Sequence, residues 1–151
     1  MLSRAAFHRR RGTTAVEFAI ACPIVFFLIF ATIVGGMGVF RYQQVAAVSR
    51  EGARWASVHG GQYEDETGKP AATATDVYQT AILPAAIGLD AAQLSYTVTW
   101  NINNQPLYVV NDVEKPVGNT VTVTVTYNWI PELYPIGPFT LTSTSTAQMI
   151  Y

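Results

Sequence analysis

The sequence predicts an α+β fold. One long amino-terminal helix crosses a membrane, continues into water and packs on a small antiparallel sheet, with a second short helix between the two. Three observations carry that expectation. Phe18 to Phe40 runs for 23 residues without a charge. Tyr42, Val45, Val48, Gly52 and Trp55 then recur at helical spacing. Thr120 to Trp129 alternates apolar and polar residues without a break, the period of a half-buried strand.

Four segments follow from this patterning: a basic leader over 1–12, a transmembrane helix over 13–40, an amphipathic continuation over 41–58, and an outer α+β domain over 59–151. The leader holds four arginines and no acid, whereas the chain from His59 onward holds two lysines and eight acids. A nucleic-acid binder needs a basic face on its folded part, so that class is excluded. The arginines instead set orientation and meet anionic lipid. Arg41, Arg50 and Arg54 follow the span closely, so the flanking charge difference alone fixes orientation only weakly.

The apolar run would form a helix roughly 34 Å long, enough to cross a hydrocarbon core of about 30 Å. A lone spanning segment must be helical, because lipid offers the backbone no hydrogen bonds. The helix should begin near Thr13 or Thr14. Pro23 removes one backbone bond, to the Ala19 carbonyl, and should bend the helix there. Ala31 with Gly35, and Thr32 with Gly36, place small residues four apart, a face on which another helix could approach closely. Cys22, the one cysteine, lies within the span, so the outer domain has no disulfide. Ala19-Ile20-Ala21-Cys22 is a poor lipidation or signal-peptidase site, since no apolar stretch precedes it. Arg9-Arg10 lacks the apolar residues that would follow a twin-arginine signal.

Beyond the span, the stripe from Tyr42 to Trp55 faces a core, Gly52 permits close approach of another element, and Glu51 pairs with Arg54 across i,i+3. The helix should end between Ser57 and Gly60. His59 to Pro70, with three adjacent acids at Glu64-Asp65-Glu66, reads as a loop with solvated charge; a calcium loop would need alternating ligands. Thr75 or Asp76 caps a short helix that turns Val77, Ala81 and Ile82 inward and stops near Pro84 and Gly88. Strands are expected over Leu94 to Ile102, Thr120 to Trp129 and Phe139 to Tyr151. Asn103-Asn104 and Lys115 to Asn119 bound a long connection, and Pro131 with Pro135 to Pro138 turns the chain into the last strand. One sheet face is aromatic and valine-rich and can cover the helix stripe. The other is lined with threonines that suit either water or a neighbouring subunit.

Catalytic groups are scarce. His8 and His59 stand on opposite sides of the span, Cys22 has no accessible base, and no phosphate loop, HExxH or GxSxG is present. The remaining acids, such as Asp90, Asp112, Glu114 and Glu132, show no spacing that singles them out. No enzyme activity, metal or other cofactor is expected.

The most specific signal lies where leader and span meet. Arg9-Arg10-Arg11-Gly12 is followed by Thr13-Thr14-Ala15-Val16 and then Glu17, the fifth residue counted from Thr13. Glu17 with Thr14 also fits a capping box at a helix start, and an acid there suits the helix dipole. Basic patch, glycine, acid at plus five and a long apolar helix together resemble the type IV prepilin processing signal. In detail, AVEFAIACPIVFFLIF with the later REGARWA (Arg50 to Ala56) resembles the TadE-like family of bacterial tight-adherence pilus assembly, over roughly the first 58 residues. That resemblance implies a pilin-like fold and a minor pseudopilin in the inner membrane, with its amino terminus cytoplasmic and its domain outside. It implies cleavage between Gly12 and Thr13 by a prepilin peptidase, an assembly role for Glu17 through pairing with the new amino terminus, and partnership with other pilin-like subunits, the pilus machinery and the lipid bilayer. The alternative is an unprocessed, permanently anchored domain that binds a partner; a tethered enzyme around Asp112 and Glu114 is a third.

Overall fold

The computed structural model describes residues 10–101, 104, 107–110, 113–116, 119–131 and 137–150. Most of the leader, the expected strand end at Ile102, and Asn103, Asp112, Glu132 and Pro135 lie outside these residues. The chain divides into two compact units, Met1–Met37 and Gly38–Tyr151. Helix α1 spans Arg10–Ser57 and contributes to both.

In the first unit the described residues are all helical. Arg10 is already in the helix, so α1 starts before the expected Thr13 or Thr14. Arginine is a good helix former, and Gly12 is tolerated within a turn. Pro23 sits inside α1 without ending it. The large side chains from Phe18 to Ile33 are exposed, and none of the most apolar window is buried within the protein. Among the described residues this is the one helix long and apolar enough to cross a membrane. A water-soluble core helix would bury this surface, so its exposure favours a lipid environment. Phe26 and Phe30 stack one turn apart, and the Thr32 hydroxyl donates to the Leu28 carbonyl at 2.8 Å.

The second unit is built around the last turns of α1. Val45, Val48, Ser49, Ala53 and Ala56 are buried there, together with Gly52. The buried face therefore includes small residues that the larger hydrophobic stripe did not mark. Tyr42, expected on that stripe, is exposed and Trp55 half-buried.

After α1 the expected loop is in part a helix, α2 (Gly61–Thr67). Gly60 is extended at its start, and Gly68 closes it in the left-handed conformation at φ 69°. The Ala71 amide donates to the Glu64 carboxylate, and Gln62 donates to Glu66 across i,i+4. Helix α3 (Ala74–Val77) is capped by Thr73, not by Thr75 or Asp76. Asp76 is the third helical residue and completes a capping box with Thr73. A π-helical turn (Tyr78–Ile82) and α4 (Leu83–Ala85) continue the same path. Pro84 has no amide hydrogen and would crowd the carbonyl four residues earlier in a regular helix. A widened turn before it removes that conflict.

Five strands follow: β1 (Leu94–Trp100), β2 (Leu107–Val110), β3 (Val113–Pro116), β4 (Thr120–Trp129) and β5 (Phe139–Gln148). The expected three-stranded sheet has the antiparallel order β1-β4-β5, with β4 central. The connection expected between its first two strands contains a separate hairpin, β2–β3. Strands of only four residues give too brief a period-two signal to stand out. On the inner face Val121, Val123 and Val125 are fully buried, each worth about 1.5–3 kcal/mol of apolar transfer. The outer face carries hydroxyl pairs across β4 and β5: Thr122–Thr146 and Thr124–Thr144 at 3.0 Å, Thr126–Thr142 at 3.1 Å.

Gly52 fixes how tightly these layers close. A Cβ there would stand 3.1 Å from Ile82 Cγ1 and 3.2 Å from Val123 Cγ1, so α1, the π-helical turn and β4 meet over a missing side chain. Nearby, the Ser49 and Ser143 hydroxyls lie 3.0 Å apart.

Candidate processing and assembly site

The signal residues Gly12, Thr13 and Glu17 lie on one continuous helix, within the first unit. Thr13 and Glu17 are four apart and therefore share a face, separated by one turn and about 6 Å of rise. Glu17 is not in the first turn of α1, where it would meet free backbone amides. The capping box expected with Thr14 is thus absent: both residues are interior to a helix that is already under way at Arg10. Glu17 is exposed, and no described residue engages its carboxylate.

Gly12 is exposed too, and a Cβ at that position would meet nothing within 4 Å. Nothing in the described chain demands a glycine there, although glycine weakens a helix by roughly 0.5–1 kcal/mol relative to alanine. The packing residues divide in two. Ala31 and Gly35 are exposed, with open space around Gly35, whereas Gly52 is buried against Ile82 and Val123. Pro23 is exposed on the same apolar helix.

Trp55 takes part in a column that the sequence reading missed. Its indole stacks on His59 at 3.9 Å and 12°, and His59 leans on Tyr63 at 4.8 Å. His59 Nδ1 lies 2.8 Å from the Trp55 carbonyl. The three residues are spaced four apart in sequence across the α1–α2 junction, a signal obscured by reading His59-Gly60-Gly61 as the start of a loop. On α1 itself the expected ion pair forms: Arg54 Nη2 lies 2.7 Å from Glu51 Oε1, with a second bond from Nε to Oε2 at 3.0 Å. The hydrogen bond and charge of Arg54 hold the Glu51 carboxyl below its ordinary range. The Thr73 hydroxyl and amide do the same for Asp76.

Among the described residues no group of three His, Cys, Asp or Glu side chains is placed to hold a metal ion. The side chains of Glu114 and Asp112 lie outside what the structure describes.

Residues 12–54 match the family model described as TadE-like protein, the family that the sequence itself resembles. The match begins at Gly12, covers Glu17 and the whole apolar run, and ends before Trp55; the sheet lies outside it. Comparison with curated proteins and with solved structures found no match.

Proposed function

We propose that this protein is a minor pilin-like subunit acting in the biogenesis of a tight-adherence pilus or a related secretion system. The supporting observation is an exposed, unpartnered carboxylate at Glu17, one helical turn beyond Gly12-Thr13, at the mouth of an exposed apolar helix. An ionised side chain at the edge of hydrocarbon is costly unless it is paired. A prepilin peptidase cutting between Gly12 and Thr13 creates a new amino group on the same helix face. That amine, from the same chain or a neighbour, pairs with Glu17 and lowers the cost of moving the helix from lipid into a bundle of like subunits. Match of the family model to this stretch supports the same reading.

In this account the arginine leader stays in the cytoplasm, the helix spans the bacterial inner membrane once, and the α+β unit stands outside. Ala31 and Gly35 give neighbouring pilin-like subunits a face for close approach, and Pro23 loosens the helix ladder. The protein assembles and does not catalyse. Glu17→Gln tests the proposal: membrane insertion should be unchanged while pilus output falls several-fold. Unchanged output would reduce Glu17 to a solvated residue at a helix entrance.

A further inference from the structure

We propose that the end of the globular unit at which α1 enters is itself a lipid-contacting surface. Phe40, Ile87, Ile130 and Phe139 rest in the interfacial layer of the bilayer. The inference uses the reading of Phe18 to Phe40 as a membrane span and does not require pilus assembly.

Contacts within the unit Gly38–Tyr151 place these residues at one end. A Cβ on Gly38 would lie 2.9 Å from the Trp129 ring, so the carboxyl end of β4 meets the first turn of the unit's helix. Trp129 is paired with Phe139 across the sheet, and their rings are 6.1 Å apart. Arg41 donates to the Gly88 carbonyl, and Gln44 donates to the Ile87 carbonyl at 3.1 Å. The turn after α4 and the β4–β5 end therefore flank residues 38–44 together. The opposite end is marked by the Ile150 amide donating to the Ser57 carbonyl and the Gly61 amide to Asn104.

Exposed apolar surface is concentrated at the first end. From Gly38 onward nine large hydrophobic residues are exposed among those described, and six of them (Val39, Phe40, Tyr42, Ile87, Ile130 and Phe139) stand there. Ile87 is 80% exposed, Phe40 61%, Ile130 59% and Phe139 44%. Segments 83–89, 128–131 and 137–141 carry no ionisable side chain. The nearby Asp90 carboxylate accepts the Ala92 amide, and Arg41, the one cation among the described residues at this end, is turned onto Gly88 and Gln44. Apolar surface of this kind marks an interaction site.

Continuity with the span identifies the occupant as lipid. Phe40 ends the uncharged run, and Gln44 is about 6 Å further along a helix. A bilayer with a core of about 30 Å and a full thickness of about 40–45 Å leaves roughly 5–7 Å of interface on each side. With Phe40 set at the hydrocarbon edge, the proposal puts Ile87, whose carbonyl accepts from Gln44, within that layer. Aromatic residues and an arginine at the rim are the composition that this layer favours.

The test uses the full chain in vesicles of phosphatidylethanolamine and phosphatidylglycerol, with a nitroxide on single cysteines. The native Cys22 serves as the reference for the span; Ile87→Cys, Ile130→Cys and Val58→Cys are made with Cys22→Ser. Collision with oxygen, which partitions into lipid, is compared with collision with a water-soluble nickel chelate. Labels at 22, 87 and 130 should show a several-fold excess of oxygen over nickel, and the label at 58 the reverse. A nickel excess at 87 and 130 beside an oxygen excess at 22 overturns the proposal. So does shelter from both reagents, which would mean that protein covers this end. If the label at Cys22 itself favours nickel, the span fails and the lipid-contacting surface fails with it, a result separable from the first two.

Discussion

Glu17 and Asp76 are both acids near helix starts in the sequence, yet their surroundings differ. Asp76 completes a capping box with Thr73, so the folded state holds its carboxyl below the ordinary value near 3.8. A depressed folded pKa means stability that is fully present above the unfolded value and lost as pH falls through the folded one. The difference in melting temperature between the wild-type protein and Asp76→Ala, measured in detergent, should therefore be largest at neutral pH and shrink below about pH 4. Thr73→Ala should cost about 1 kcal/mol at neutral pH, by loss of the cap. Glycines also separate by surroundings. Gly36 has open space where a Cβ would go, so Gly36→Ala should be neutral or stabilising by up to about 1 kcal/mol. Gly52→Leu forces methyl groups into Ile82 and Val123 and should cost at least about 1–3 kcal/mol in denaturant unfolding.

Between elements, stability is concentrated where α1, the π-helical turn and β4 converge. Ile82 is fully buried there, and Ile82→Ala should lose about 2–5 kcal/mol by unfolding in detergent. Helix content of the span should persist, since its residues are not part of that core. The long elements could be read from residues because their periods run for many positions: ten alternating residues define β4, and its register places Val121, Val123 and Val125 inside. Short elements could not. In α2 the flanking glycines are also loop signals, and the acids that hold it are engaged by Ala71 and Gln62 through folding. Likewise Thr73 became the cap instead of Thr75, because the choice among neighbouring threonines depends on where the chain turns. The inner face of α1 was read from its large residues, whereas Ala53, Ala56 and Ser49 are buried there as well, Ser49 against Ser143 of β5, and small side chains carry little hydrophobic signal.

For the molecule as a whole, a basic leader, one exposed apolar helix and an acidic globular unit are three parts of different chemistry. Gly12 and Glu17 were singled out by their spacing along the chain, and the structure sets both on one helix. The aromatic column at Trp55, His59 and Tyr63 was not, since it crosses a junction between helices. What joins the parts into a function is the fate of the leader. Intact-mass and amino-terminal analysis of the protein purified from its own membranes tests this directly. The account predicts Thr13 as the first residue of the mature chain. A mature chain that retains the arginines, or one cut at any other bond, would contradict it and leave an anchored binding domain in its place.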